Sequence, residues 1–430
     1  MQPYIMYHHK QQPSVWQAGL KQGQSKAEAQ SKVEEVSTMS RFTPAGTRLA
    51  ATLWCLAAIS QPVAGEDDLG GKADSSPSAA TILSRKVICK QAGRYIAWPT
   101  VTKTRSGELL AVFSGDRDAH LCPWGKTFLV RSTDGGKRWS EPRCIDDTPL
   151  DDRDAGILET QQGTLLLTWN VGSLFRVADK YPPRFRHFVT DEMIADWKQH
   201  YASIPEATRK RFIGTWMRRS EDAGKTWSEP VKMPAHTTHG PIRLSDGRLL
   251  DVGNRGHYVG ESFDDGRSWK KIASVPRPKL PAVLDEPHIV EAAGGKLIIL
   301  FRHEPPKKEN FRIFQSDSTD GGKTWSVARP TSIWADNPPH AIRLNNDWLV
   351  VVYGIRQPPY GQRACISRDH GVTWDYEHEI VLCHGDNNDL GYPSSAEMDD
   401  GSILTVYYQA PVPGEKPALM ATHWRLETVN

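Results

Sequence analysis

This chain of 430 residues carries almost no net charge, few cysteines and no long hydrophobic run. Lys and Arg number 53 against 51 Asp and Glu, a formal charge of +2. No local Lys/Arg cluster makes up for that balance, so a nucleic-acid partner is not expected. With 38% hydrophobic and 24% charged residues, the chain is too polar for a multi-span membrane protein, yet long enough to bury a large core. Its six cysteines form no Cys-x-x-Cys pair, so no zinc site is expected, and no motif calls for a cofactor. Tryptophan, by contrast, is abundant: 15 residues against 11 Phe and 12 Tyr.

Residues 1–38 are Gln-rich, poor in large aliphatics and without periodicity, and are read as disordered or upstream of the true start. A second start is plausible at Met39. Arg41 and Arg48 follow, then the apolar run Leu49–Ile59 and the small residues Pro62-Val63-Ala64-Gly65. A basic flank, an apolar stretch of about ten and then small residues read as a secretory signal; a membrane span would need about 20 apolar residues. The alternative is a buried helix in a cytosolic protein. The expectation is a signal over 39–65, a linker over 66–82 and one folded unit over 83–430, secreted or periplasmic and monomeric. Five cysteines follow the signal (Cys89, Cys122, Cys144, Cys365, Cys383). An odd number permits at most two disulfides.

One repeat stands out, Ser-x-Asp-x-Gly-x-x-Trp, at Ser132/Trp139, Ser220/Trp227, Ser262/Trp269, Ser318/Trp325 and Ser367/Trp374. Short Ser and Asp side chains accept hydrogen bonds from turn amides, Gly supplies positive φ, and the Trp after the turn buries a large face. Five recurring aspartates suggest a Ca²⁺ site, but a structural fold-back is the better reading. The starts lie 88, 42, 56 and 49 residues apart, and a spacing near 45 fits a four-stranded β-propeller blade. Between the repeats run turns such as Ser106-Gly107 and Asp246-Gly247, each followed by an apolar strand. Six such pairs predict an all-β, six-bladed propeller. The sixth blade lacks the repeat, and Ile82–Lys90 is placed to pair with it. The long first spacing marks an insertion in blade two, about 175–211, with a helix over Asp191–Tyr201 that forms a lid or side wall.

The five repeats resemble the Asp boxes of the sialidase (neuraminidase) superfamily, six-bladed propellers that act as exo-glycoside hydrolases, and the resemblance covers essentially all of 83–430. In that family three arginines hold the substrate carboxylate, a Tyr–Glu pair is the nucleophile and an aspartate is the acid/base. Asp285-Glu286-Pro287-His288 followed by Leu300-Phe301-Arg302 resembles the family's Glu-strand-turn-strand-Arg segment. Gly391-Tyr392-Pro393-Ser394-Ser395 resembles the segment that carries the nucleophile. The resemblance therefore implies Tyr392 and Glu286 as the nucleophile pair and Arg302 as a triad arginine, with Arg356 or Arg363 as another. It also implies substrate contacts from Arg117 and from the Arg153-Asp154 pair. Asp118 or His120 is left to serve as acid/base.

Two departures matter. The family's first arginine corresponds to Ala97 in Ile96-Ala97-Trp98-Pro99, and the glutamate that supports it corresponds to Gln409. A neutral tyrosine activated by a carboxylate avoids repulsion by the carboxylate on a sialic acid's anomeric carbon. A His or Asp whose pKa lies near working pH suits the proton transfer. Histidines recur at inner-strand positions, His120, His239, His288 and His340, and suggest a His-lined pocket; nothing in their spacing enforces a metal. Trp98 fits stacking on a sugar face as well as core packing. Two classes follow: a secreted exo-glycosidase for a terminal sialic acid or related acidic sugar, or a carbohydrate-active propeller that has left sialic acid behind. The second includes a lyase, another glycosidase or a silent glycan binder.

Overall fold

The computed structural model describes residues 80–172, 183–279 and 283–427. The segment at 1–38 expected to be disordered or upstream, the expected signal at 39–65 and the expected linker as far as residue 79 lie outside the described residues.

Strand β1 (Ala80–Cys89) comes first among the described residues, slightly ahead of the expected domain start at 83, and all the described strands, β1 included, fall into six four-stranded antiparallel sheets. Blade one is β2 (Tyr95–Lys103), β3 (Leu109–Arg117), β4 (Lys126–Ser132) and β5 (Arg143–Asp146). Blade two is β6 (Asp151–Glu159), β7 (Leu165–Gly172), β8 (Gly214–Ser220) and β9 (Val231–Lys232), and blade three is β10 (Ile242–Arg243), β11 (Leu249–Gly253), β12 (Tyr258–Ser262) and β13 (Lys270–Ala273). Blade four is β14 (Val283–Glu291), β15 (Leu297–Glu304), β16 (Ile313–Ser318) and β17 (Arg329–Pro330). Blade five is β18 (His340–Arg343), β19 (Leu349–Ile355), β20 (Gly361–Ser367) and β21 (Ile380–His384). Blade six joins both ends of the chain: β22 (Gly391–Glu397), β23 (Ile403–Gln409) and β24 (Ala418–Leu426), with β1 outermost against β24.

The second strand of each blade is apolar on both faces because each face meets a neighbouring blade. Leu109, Ala111 and Phe113 pack with Leu404 and Val406 of blade six, whereas Leu110 and Val112 pack with Leu165 and Leu167 of blade two. Ile298 and Leu300 face Leu349 and Val351 of blade five, while Leu297 and Ile299 face Leu250 and Val252 of blade three. Leu166 with Leu249, and Val350 with Ile403, complete a closed ring of inter-blade cores.

Each Asp box closes the hairpin after the third strand of its blade. In the first, Ser132 Oγ accepts from the Gly136 amide at 2.9 Å and Asp134 accepts from the Arg138 amide at 2.9 Å. The antiparallel register fixes the end at which the boxes sit. Tyr95 pairs with Arg117 and Gly115 with Lys126 at one end of blade one; Leu109 pairs with Ser132 at the other. The boxes therefore lie at the opposite end from the start of the inner strands, as turns and not as ligand carboxylates.

The insertion in blade two supplies α1 (Asp191–Ser203) and α2 (Glu206–Phe212). Thr190 caps α1 by accepting from the Met193 amide at 3.2 Å. Trp197 and Ile194 bury themselves against Ala119 and Cys122 in the loop after β3, so this element is a side wall of that loop. All five described cysteines are free thiols. Among the described residues no helix is long and apolar enough to cross a membrane.

Candidate active site

Four inner strands break register at the same place. The ladder slips between Ala97 and Thr100 in β2, Arg153 and Gly156 in β6, Asp285 and His288 in β14, and Gly391 and Ser394 in β22. Inside each bulge one residue sits in the left-handed region: Trp98 (φ 51°), Asp154 (φ 49°), Glu286 (φ 46°) and Tyr392 (φ 50°). A non-glycine residue there costs roughly 1–3 kcal/mol and persists only where its surroundings impose it. The bulge re-aims each of these side chains out of the ladder.

Tyr392 and Glu286 come together across blades six and four. The Tyr392 hydroxyl donates to Glu286 Oε1, and Arg302 Nη1 donates to Glu286 Oε2 at 2.7 Å. Arg302 also pairs with Glu304 at 3.0 Å. Burial alone would raise the Glu286 pKa, but the Arg302 charge and the Tyr392 hydrogen bond outweigh it and hold the carboxyl below the usual range. Burial and the Glu286 charge push the Tyr392 phenol well above 10. Arg356, just past β19, completes the group: its Nη2 donates to the Tyr408 hydroxyl at 2.5 Å, and its guanidinium carbon lies 5.7 Å from the Tyr392 ring centroid.

Several expected contacts are corrected. Arg363 points into blade five, with Nε 3.4 Å from Glu379 and its other nitrogens on backbone carbonyls, so Arg356 is the arginine beside Tyr392. Arg117 is 0% exposed, locked to Asp151 and to the His120 carbonyl. It ties the loop after β3 to β6, and its guanidinium is taken up by these protein partners. Trp98 is 1% exposed, with the Arg153 guanidinium 3.7 Å from its ring centroid, so one face of the indole is covered by Arg153, itself mostly buried. His239, His288 and His340 lie one step deeper along the axis. The rings of His288 and His340 stack at 4.2 Å, and their Nδ1 atoms accept from the backbone amides of Ala341 and Ser395 in the next blades. Burial holds His239 at about 4 and the other two well below 6.5. They are buried and neutral, and hydrogen bonds between His239 and Thr100, His288 and Ala341, and His340 and Ser395 tie neighbouring inner strands together. Among the described residues no cluster is arranged to hold a metal.

Asp118 is held by Arg94 on one oxygen and by Trp197 Nε1 at 2.9 Å on the other. His120 Nδ1 lies 3.0 Å from the Tyr95 hydroxyl and 3.2 Å from Asp389, and burial takes its pKa to about 4. Gln409 turns toward blade five and donates to the His384 carbonyl at 2.6 Å. Its neighbour Tyr408, not Gln409, packs with Ala97, Trp98 and Tyr392.

Sequence reasoning missed Tyr95, Asp389, Glu304 and His236. His236, in the loop before β10, places Nε2 at 3.7 Å from Asp154 Oδ2 with its side chain 47% exposed. The only sequence signal was its position three residues ahead of His239.

Residues 194–405 match a BNR repeat-like domain family. A sialidase from Bacteroides fragilis is 26% identical over 73% of this chain and 60% of its own length. A xyloglucanase from Acetivibrio thermocellus is 24% identical over 51% of this chain and 30% of its own. The chain thus spans three fifths or less of these curated relatives. A crystal structure of a protein of unknown function from Dyadobacter fermentans shares the fold at a TM-score of 0.65, with 24% identity, covering 81% of this chain and 100% of that one.

Proposed function

Because the chain belongs to the superfamily of BNR-repeat, sialidase-like propellers, we propose that it is a secreted exo-glycoside hydrolase acting on a terminal sialic acid or a related acidic sugar. The observation that carries this reading is the continuous chain Tyr392–Glu286–Arg302 at the axial bulges. Tyr392 attacks the anomeric carbon while its proton passes to Glu286, so a phenol too weak to ionise alone becomes a nucleophile only as the bond forms. Arg302 keeps Glu286 ionised and ready to receive that proton. Arg356 faces the same ring, and its guanidinium suits a sugar carboxylate.

A second reading rests on a different observation. The family's first arginine is absent, Ala97 is 0% exposed, and Arg302 is already flanked by two carboxylates. Arg356, which donates to the Tyr408 hydroxyl and the Leu390 carbonyl and has no carboxylate ion-pair partner among the described residues, is by itself a weak anchor for a sialic acid carboxylate, since a charged contact is worth roughly 1.5–3 kcal/mol. The substrate is then another sugar, or the propeller serves another carbohydrate reaction, as the likeness to a xyloglucanase allows.

A panel of aryl glycosides, sialoside included, together with acidic polysaccharides, tests both. Turnover abolished by Tyr392→Phe supports the hydrolase, and the preferred glycoside decides the sugar. Elimination products from a polysaccharide, or turnover indifferent to Tyr392→Phe, contradict it.

A further inference from the structure

The Tyr392–Glu286 pair supplies a nucleophile and its base but nothing to protonate the departing oxygen. The two groups expected to do so are poorly placed. Both Asp118 oxygens are engaged, by Arg94 and Trp197, and His120 is 7% exposed and held by Asp389 and Tyr95.

A different pair stands at the mouth of the site. Asp154 occupies the blade-two bulge, with Oδ1 buried and without a hydrogen-bond partner among the described residues and Oδ2 facing the half-exposed His236 ring. The His236 backbone is clamped at both ends by one residue: its amide donates to Asn254 Oδ1 at 3.0 Å, and its carbonyl accepts from the Asn254 amide at 2.8 Å. Gly253 is part of this clamp, since a Cβ there would meet the His236 carbonyl oxygen at 2.3 Å. Next to Asn254, Arg255 pairs with Asp285 at 3.0 Å, beside Glu286. One blade-three loop and turn thus place an imidazole between the blade-two and blade-four bulges.

We propose that His236 is the general acid and base of this active site, and that Asp154 is the positioning residue that orients it. This rests on the hydrolase reading above. Nε2 faces Asp154, so the other ring nitrogen, Nδ1, carries the transferable proton. As the glycosidic C–O bond breaks, that proton goes to the leaving oxygen while the Tyr392 oxygen bonds to the anomeric carbon and Glu286 takes the phenolic proton. Water then attacks the anomeric carbon. Neutral His236 takes a proton from the water, the Tyr392–carbon bond breaks, and Glu286 returns its proton to the phenolate.

The charges around His236 agree with this. Asp154 faces it from β6, and Asp285 and Glu286 act on it from β14; the neighbouring Arg153 turns instead to Trp98 and Asp151, and Arg255, in the turn after β11, pairs with Asp285. Burial would lower its pKa, but Asp154 first and then Asp285 and Glu286 raise it above 6.5. A general acid near neutral pH needs that direction of shift.

Two arms test the proposal. In the first, the His236 imidazole resonance is titrated by NMR in the wild type and in Asp154→Asn, with no substrate. The wild type is expected to titrate above 6.5 and Asp154→Asn about one unit or more lower. A wild-type value at or below 6.5, or no change in the variant, overturns the dyad. This arm reads out even if no glycoside is ever turned over, in which case only the hydrolase reading has failed. In the second, His236→Gln is assayed on aryl glycosides with good and poor leaving groups. A loss of about 10²–10⁴-fold on the poor leaving group, a much smaller loss on the good one, and disappearance of the alkaline limb of the pH profile support the assignment. The same split from Asp118→Asn, with His236→Gln unaffected, overturns it.

Discussion

Replacing Glu286 by Gln keeps the shape of the carboxyl and its hydrogen-bond acceptor but removes its ability to take a proton. In the wild type the Glu286 carboxyl accepts from Tyr392 and Arg302 at once. The Tyr392 phenol is pushed well above 10, chiefly by burial, so almost none of it is ionised in the resting enzyme. All of the activation must therefore come during bond formation, through Glu286. General-base assistance of this kind contributes about 10²–10⁴-fold, or roughly 2.7–5.4 kcal/mol of barrier at 1.36 kcal/mol per decade. Stability should change less. Removing one partner of a buried ion pair costs about 3–5 kcal/mol when the other charge is left alone. Arg302 instead keeps Glu304 at 3.0 Å, so the loss should be nearer one charged hydrogen bond, about 1.5–3 kcal/mol. The assay pairs kcat on the best aryl glycoside with a denaturant melt of the same preparation. A kcat within about tenfold of wild type, with folding intact, would refute the role of Glu286. The pH dependence adds a check on sign. The folded pKa of Glu286 lies below its unfolded value, so its contribution to stability is complete above the unfolded pKa and is lost as pH falls through the folded one. Glu286→Gln should flatten that acid limb.

Other outcomes follow from the same geometry. Trp325, 7% exposed and donating to the Gly322 carbonyl at 2.9 Å, lies at the end remote from Tyr392; Trp325→Ala should destabilise by roughly 3–5 kcal/mol in a denaturant melt, with kcat of the folded fraction unchanged. Ala97→Arg, alone or with Gln409→Glu, should not improve sialoside turnover, because position 97 is enclosed by aromatic rings and Gln409 faces blade five; a gain of tenfold or more in kcat/KM would show the site can still accept the arginine. If residues 39–65 act as a secretory signal, N-terminal sequencing of the exported protein should find a start near residue 66, and retention of the full chain in the cytosol would contradict export.

Much of the architecture was legible because propeller signals are local. An Asp box needs only eight residues to close its own hairpin, and the apolar second strands repeat at nearly regular spacing. The bulge residues Glu286 and Tyr392 were legible for a related reason, since each sits in a short segment with its own signature. Burial was not legible. Arg117 and Trp98 occupy the expected end of blade one, but whether an arginine meets a ligand or Asp151 depends on a strand 34 residues away. The same holds for Arg363, whose partner Glu379 lies in the next connection of its own blade. His236 had no signature because its role comes from a contact with Asp154, 82 positions earlier, across two blades. Gln409 and Tyr408 differ only by one step of strand alternation, and one step decides which of them faces the site.

The central claim is that Tyr392, activated by Glu286, carries the sugar. Mass spectrometry of the protein quenched during turnover of the aryl glycoside it cleaves fastest tests this most directly. The account predicts one glycosyl mass on the peptide containing Tyr392, absent from Tyr392→Phe. A turning-over enzyme with the adduct on any other residue, or with no adduct while the first-formed sugar has inverted anomeric configuration, would contradict it.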